Sequence, residues 1–268
     1  MTQTFSTIAS NASEAVYPHL RRGLVGAWVP SIGVTGGTLR DVSGRGSHGT
    51  LTNMDAATDW EMTATGRAIR AAGGQEFIES DFAGLAAADV PFTLFFDCRV
   101  FAFKNLAVFG GVGVGGLPVP GGNVGRYWLN FSSNFYFWGG ANDWNTGFAM
   151  VYNQDIRVAW RYDTVNMQLF VNGSLAATRT GYTPSVAASK LTLFSRHPSG
   201  STVPDCTVRQ FCVWDRALTA NEIRRLDAAT AGEWLKRKRR RVYSITAAPV
   251  VYGQRLPRHR TILGGGLR

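Results

Sequence analysis

Three glycines in the stretch DVSGRGSHGTLTNMD (residues 41–55) stand as G-x-G-x-x-G at Gly44, Gly46 and Gly49. That spacing can cradle a pyrophosphate, but only where it follows a strand and opens a helix. Here it runs into TLTNMD, which has no helical period, and no acidic residue stands about twenty positions beyond Gly49 to hold a ribose. A tight connection between strands is the simpler use. Asp41 and Ser43 can bond nearby backbone N–H groups, and glycine tolerates positive φ. His19, His48, His197 and His259 show no metal-ligand spacing with one another or with cysteine. No nucleophile elbow sets up a Ser/His/Asp order.

Two other regions could bind rather than react. Residues 126–148, RYWLNFSSNFYFWGGANDWNTGF, concentrate Tyr127, Trp128, Tyr136, Trp138 and Trp144 with several Phe. Aromatic faces beside Asn and Asp can stack on sugar rings, whose faces are apolar while their hydroxyls need acceptors. Most of these aromatics read as the core of two adjacent strands. Trp144, between Asp143 and Asn145 in an expected turn, is the best candidate for an exposed stacking platform, with Trp138 beside it. The second region is basic. Lys236, Arg237, Lys238, Arg239, Arg240 and Arg241 are consecutive, and residues 234–268 hold ten Lys/Arg and no Asp/Glu. The formal net charge of +10 is therefore the charge of this tail, and residues 1–233 balance 18 basic against 18 acidic side chains. Such a run can neutralise phosphates. It is followed by the apolar, β-prone VYSITAAPVVYG, which favours docking onto an acidic protein surface or adding a strand to a neighbour. The nucleic-acid reading and a disordered tail are the alternatives.

The elements that must position these residues are strands. Hydrophobic residues make up 45% of the 268, enough for a sizeable core, and 31 glycines without a collagen period suit many tight turns. In PFTLFFDCRVF, Phe92, Leu94, Phe96, Cys98 and Val100 alternate with polar or solvent-side positions. Ile156, Val158, Trp160 and Tyr162 do the same, and Asn172-Gly173 between alternating runs predicts a type I′ hairpin. VRQFCVWD carries bulk on both faces and reads as a central strand. One short helix is expected from about Ala220 to Leu226, with Thr219 and Glu222 as a capping box and Leu218 and Ile223 as the flanking staple. The apolar run 106–122 is broken by glycine and proline and reads as a loop or hairpin, not a membrane span. Cys98, Cys206 and Cys212 are odd in number and too few for a disulfide framework. The N-terminal MTQTFSTIASNASEAVYPHL has no basic start and no apolar core, so no secretory signal is expected. A polar arm (1–22), an all-β body (23–232) and a basic tail (233–268) follow.

Four segments in order resemble LamG-like domains: GLVGAWVP with DVSGRGSHGT (23–55), GRAIRAAGGQEFIES (66–80), IRVAWRYDTVNMQLFVNGSLAAT (156–178) and CTVRQFCVWDRALTANEIRRL (206–226). The resemblance implies a concanavalin A-like jelly roll, a β-sandwich of two antiparallel sheets, here with one short C-terminal helix and a basic extended tail. It makes Asp41 a candidate calcium ligand with Asp205 as partner, although Cys206 stands where relatives often carry a second acid or a small residue. Turn capping is the plainer role for Asp41. Glycosidases of this fold carry a short Glu-x-Asp-x-x-Glu cluster; the sequence has none, so an enzyme is not expected.

The wording DVSGRGSHGTLTNMDAATDW looks most like LamG-like proteins of tailed bacteriophages. It implies a structural protein of the virion, assembled in the host cytoplasm. A capsid decoration, head fibre or tail component would dock its terminal arms on other virion proteins and, by analogy with displayed virion proteins, form a homo-oligomer. A carbohydrate-binding module or adhesin recognising surface glycans is the alternative. No membrane partner is expected.

Overall fold

The computed structural model describes residues 17–235, apart from 56, 73, 75, 86–88, 103, 105–106, 114–124, 140–141, 185–187 and 195–202. Four short helices are described: α1 (Pro18–Arg21), α2 (Pro30–Gly33), α3 (Ala220–Ala228) and α4 (Ala231–Trp234). The early strands are β1 (Leu24–Trp28), β2 (Val34–Thr35), β3 (Thr38–Leu39), β4 (Gly49–Thr52), β5 (Trp60–Thr63), β6 (Gly66–Ala72), β7 (Phe77–Leu85), β8 (Phe92–Ala102) and β9 (Val108–Gly113). The later ones are β10 (Gly125–Phe131), β11 (Asn134–Trp138), β12 (Trp144–Ala149), β13 (Asp155–Tyr162), β14 (Asn166–Val171), β15 (Ser174–Thr180), β16 (Ala188–Leu193) and β17 (Asp205–Trp214).

They form two antiparallel sheets. One has eight strands in the order β15-β14-β13-β8-β17-β6-β5, with β1 also paired to β17. The other has nine, in the order β12-β11-β10-β9-β16-β7-β4-β3-β2. The alternating residues read from the sequence meet between the sheets. Leu94, Phe96, Cys98 and Val100 of β8, Val158 and Trp160 of β13, and Phe211 and Val213 of β17 pack against Trp128, Phe135, Phe137, Leu191 and Leu193 from the facing sheet. Phe96 stacks on Phe211 at 4.4 Å, and Trp128 on Phe109 at 4.2 Å. Strand β17 is central, pairing with β8, β6 and β1. Asn172 and Gly173 turn with φ of 47° and 74°, as a type I′ turn requires.

A second core lies outside the eight-stranded sheet. The opposite faces of β8, β13, β14 and β17 carry Phe95, Ala159, Phe170, Cys212 and Trp214. Helices α1, α3 and α4 cover them with Leu20, Ile223, Leu226 and Trp234. The indole of Trp214 donates to the Leu20 carbonyl at 2.7 Å and lies 5.7 Å from Trp234. The capping box at Thr219 and Glu222 forms as expected, and Leu218 and Ile223 are buried beneath it.

Several expectations need correction. The sequence predicts one helix at the C-terminal end of the body, but α4 follows α3 with its own capping box, Thr230 and Glu233. The body also extends at both ends beyond 23–232, because Leu20 and Trp234 are each 0% exposed within the second core. Of the apolar run 106–122, Val108–Gly113 is strand β9, and 114–122 lie outside the described residues. No described helix is long and apolar enough to cross a membrane. All three cysteines are buried free thiols, and burial pushes their pKa values up.

Candidate functional site

The glycine-rich stretch is a corner. Gly44 and Gly46 have φ of 94° and 83°, and a Cβ at either would meet nothing within 4 Å, so conformation and not space demands glycine there. The Asp41 carboxylate organises the corner. Its Oδ1 accepts from the backbone N–H of Ala27 (3.0 Å) and Ser43 (2.9 Å), and its Oδ2 from the Ser43 hydroxyl (2.9 Å) and Ser47 N–H (3.2 Å). The indole of Trp28 donates to the Ser47 carbonyl at 2.7 Å. Four donors on a carboxylate that is 6% exposed make it the hub of the turn.

The calcium pair is not assembled. Asp41 bridges to Trp28, which pairs with Phe211, whereas Asp205 begins the same strand β17 six residues earlier. That separates the two by about 20 Å of strand. Asp205 instead accepts from Arg70 at 2.9 Å. Among the described residues no group of three His, Cys, Asp or Glu could hold a metal ion.

Trp144 is not an exposed platform. It opens β12 opposite Phe137, shares that residue's inward face, and packs edge-on to Trp160 at 6.0 Å. At 9% exposure it belongs to the core between the sheets. Its neighbour Asn145 is exposed, opposite Tyr136, and spends its side-chain oxygen on the N–H of Gly147. Asp143 accepts at its carbonyl from Arg179 at 2.6 Å. The docking residues Lys236, Arg237, Lys238, Arg239, Arg240 and Arg241 lie outside the described residues.

What the structure assembles instead is the outer face of the nine-stranded sheet. In β11, Phe135 and Phe137 point inward, so Tyr136 and Trp138 point outward, half-buried against Val108. Cross-strand pairs share a face. One register row therefore runs from Trp138 through Tyr127, Gly111, Thr192 and Glu79 to Thr50. Five inter-strand steps make it about 24 Å long. The end near β4 and β7 opens into a cavity of about 450 Å³ lined by His48, Thr50, Thr52, Phe77, Glu79, Ser80, Asp81 and Lys190. Lys190 bonds Asp81 at 2.6 Å and Glu79 at 3.3 Å, and these contacts hold its pKa above the usual lysine value. At the aromatic end, burial and the hydrogen-bonded Asp143 carboxylate push the Tyr136 phenol up to about 12. Both groups keep their ordinary charge at neutral pH, so the face presents fixed donors and acceptors beside half-buried rings. The sequence points to Trp138 but not to Tyr136 or the polar end. The alternation of Asn134 to Trp138 contained the signal for Tyr136, but the β7 and β16 residues meet only through pairing distant in sequence.

A family model described as the concanavalin A-like lectin/glucanases superfamily matches residues 110–224, fewer than half of the 268. The binding domain of botulinum neurotoxin serotype D/C superposes with a TM-score of 0.59 at 15% identity, covering 78% of this chain and 52% of that one. Domain 4 of the extracellular arabinanase AbnA from Geobacillus stearothermophilus, solved with arabinotriose, gives 0.57 at 13%, covering 80% and 99%.

The fold is concanavalin A-like.

Trypanosoma rangeli sialidase also matches, with a TM-score of 0.55 at 20% identity over 77% of this chain, which spans about a third (32%) of that enzyme. No curated protein matches by sequence. Within the concanavalin A-like fold, the matched segment contains the aromatic strands β10 to β12 and the hairpin of β14 and β15.

Proposed function

We propose that the chain is a carbohydrate-binding module whose outer nine-stranded face receives an extended glycan. The observation that carries this reading is the single row joining outward Trp138 to the hydroxyl- and carboxylate-lined cavity. Sugar rings are apolar on their faces and polar at their rims, so a binding surface needs both chemistries side by side. The toxin binding domain and the arabinotriose-bound domain support the reading as relatives in fold. Glycan-array binding followed by titration tests it. Binding by the intact chain that Trp138→Ala weakens at least tenfold supports it. Silence on neutral and acidic polysaccharides alike sinks it.

A structural place in a virion, with the arms docked on neighbours and the chain self-associated, is the second reading. Its support is the phage-like wording of residues 41–60 and the basic tail 236–241. The two readings are compatible, since a displayed glycan-binding module can be carried on a particle. Copy number in purified particles by mass spectrometry decides the second.

A further inference from the structure

On the opposite side of the sandwich, where the helical cap meets the eight-stranded sheet, is a cavity of about 230 Å³. It is lined by Ser31 and Ile32 of α2, Thr65 of the β5–β6 turn, Arg67 of β6, Asp97, Arg157, Arg209 and Gln210 from the sheet, and residues 230–232. Its charges are not equivalent. Arg209 is buried and fully engaged. Its Nε and Nη2 lie 2.8 and 2.5 Å from Asp97 Oδ1, and its Nη1 lies 2.7 Å from Asp155. Arg157 places Nε 3.3 Å from the other Asp97 oxygen and Nη1 3.9 Å from Asp227. Its Nη2 has no partner among the described residues. The Arg67 side chain is exposed and makes no hydrogen bond or ion pair among the described residues. Three carboxylates, Asp97, Asp155 and Asp227, thus offset Arg209, Arg157 and the Arg99 bonded to Asp155, leaving Arg67 as the unbalanced charge.

Gln210 supplies the second observation. It is 3% exposed, its amide nitrogen faces only the Cys212 sulfur at 3.4 Å, and its carbonyl oxygen accepts no hydrogen bond among the described residues. That oxygen is not sealed away from the cavity, so a hydroxyl entering it can donate there. The hydroxyls of Ser31 and Thr65 border the same space.

We propose that this cavity binds a small hydroxy-carboxylate of the uronic-acid class. The Arg67 guanidinium and Arg157 Nη2 donate to the carboxylate. The Gln210 carbonyl accepts from a ligand hydroxyl, and Ser31 and Thr65 complete the ring contacts. The volume lies below the roughly 300 Å³ at which drug-sized sites begin, which suits one sugar unit and not a chain. Balanced charge apart from Arg67 selects a monoanion over a phosphate dianion. The site is separate from the nine-stranded face and does not depend on the glycan reading of that face.

Calorimetric titration of the full chain with D-glucuronate, glucose and inorganic phosphate tests it. Saturable glucuronate binding is expected, weakened by salt and about tenfold weaker in Arg67→Ala, whose exposed side chain is dispensable for folding. Thr65→Ala should weaken binding by a smaller factor, and Trp138→Ala should leave it unchanged. The assignment is overturned if glucuronate does not bind, if glucose or phosphate binds as tightly, if Arg67→Ala binds like the parent, or if Trp138→Ala abolishes binding.

Discussion

The two sheets share one core but treat their outer faces differently. Outside the eight-stranded sheet, Trp214, Phe95 and Phe170 are large and apolar, and α1, α3 and α4 bury them. Outside the nine-stranded sheet, the corresponding positions include Thr50, Glu79, Asp81 and Lys190, with the half-buried aromatics Phe77, Tyr136 and Trp138, and none of the described helices packs there. Burial of apolar area drives the first arrangement, at roughly 25 cal/mol per Å². The second face gains little from burial, so its side chains are free to be chosen for what they contact. In a fold of two sheets, the capped face is where substitutions should change stability, and the open face is where they should change binding.

That contrast can be broken in four ways, taken from the largest effect downward. Trp234→Ala empties the cap above Trp214 and should cost about 3–5 kcal/mol by chemical denaturation. A loss under ~1 kcal/mol would mean that the cap adheres only weakly. Glu222→Gln should come second, at about 2 kcal/mol at neutral pH. Burial opposes the charge of Glu222, but its bonds to Arg216 at 2.7 and 2.9 Å and to the Thr219 N–H hold its pKa down at about 2, against 4.5. A depressed carboxylate stabilises fully above its unfolded pKa and loses that contribution as pH falls through the folded one. The gap between parent and variant should therefore close between pH 4.5 and about 2, as followed by thermal melts across that range. A gap that persists at the acid end would place the effect in packing and not in charge.

On the open face, Trp138→Ala should cost only about 1 kcal/mol of stability, since its ring is half-buried against Val108, while weakening glycan binding at least tenfold. The reverse pattern, a large destabilisation with unchanged binding, would make it a core residue. Lys190→Met is the smallest in stability, within about 0.5 kcal/mol. Its pairs with Glu79 and Asp81 are partly exposed, and any change should shrink with added salt.

The sequence was most legible where structure is local. Period-two alternation located β8, β13, β14 and β17, the Asn172-Gly173 turn fixed a hairpin, and the Thr219/Glu222 box started α3 within a residue. The candidate site was harder to read because it depends on register. Trp144 sits between two polar residues, which suggests a turn, yet pairing with Phe137 turns it inward. The 24 Å row joins residues as far apart in sequence as Thr50 and Thr192, and only the order β11-β10-β9-β16-β7-β4 brings them into line. Asp41 was the reverse case: a residue type that suits calcium is used up by four protein donors, which spacing alone could not foretell. The second core was hidden too, because Leu20 and Trp234 lie in segments that read as an arm and a tail.

The three cysteines give the molecule a practical property. Cys98, Cys206 and Cys212 are all buried, with pKa values raised by burial, so each is held as an unreactive thiol in the folded chain. The protein is therefore already a quiet background for maleimide chemistry, with no native thiol to delete. A single Asn145→Cys substitution, at an exposed position opposite Tyr136, would place a fluorophore or spin label beside the open face and let ligand arrival there be watched directly.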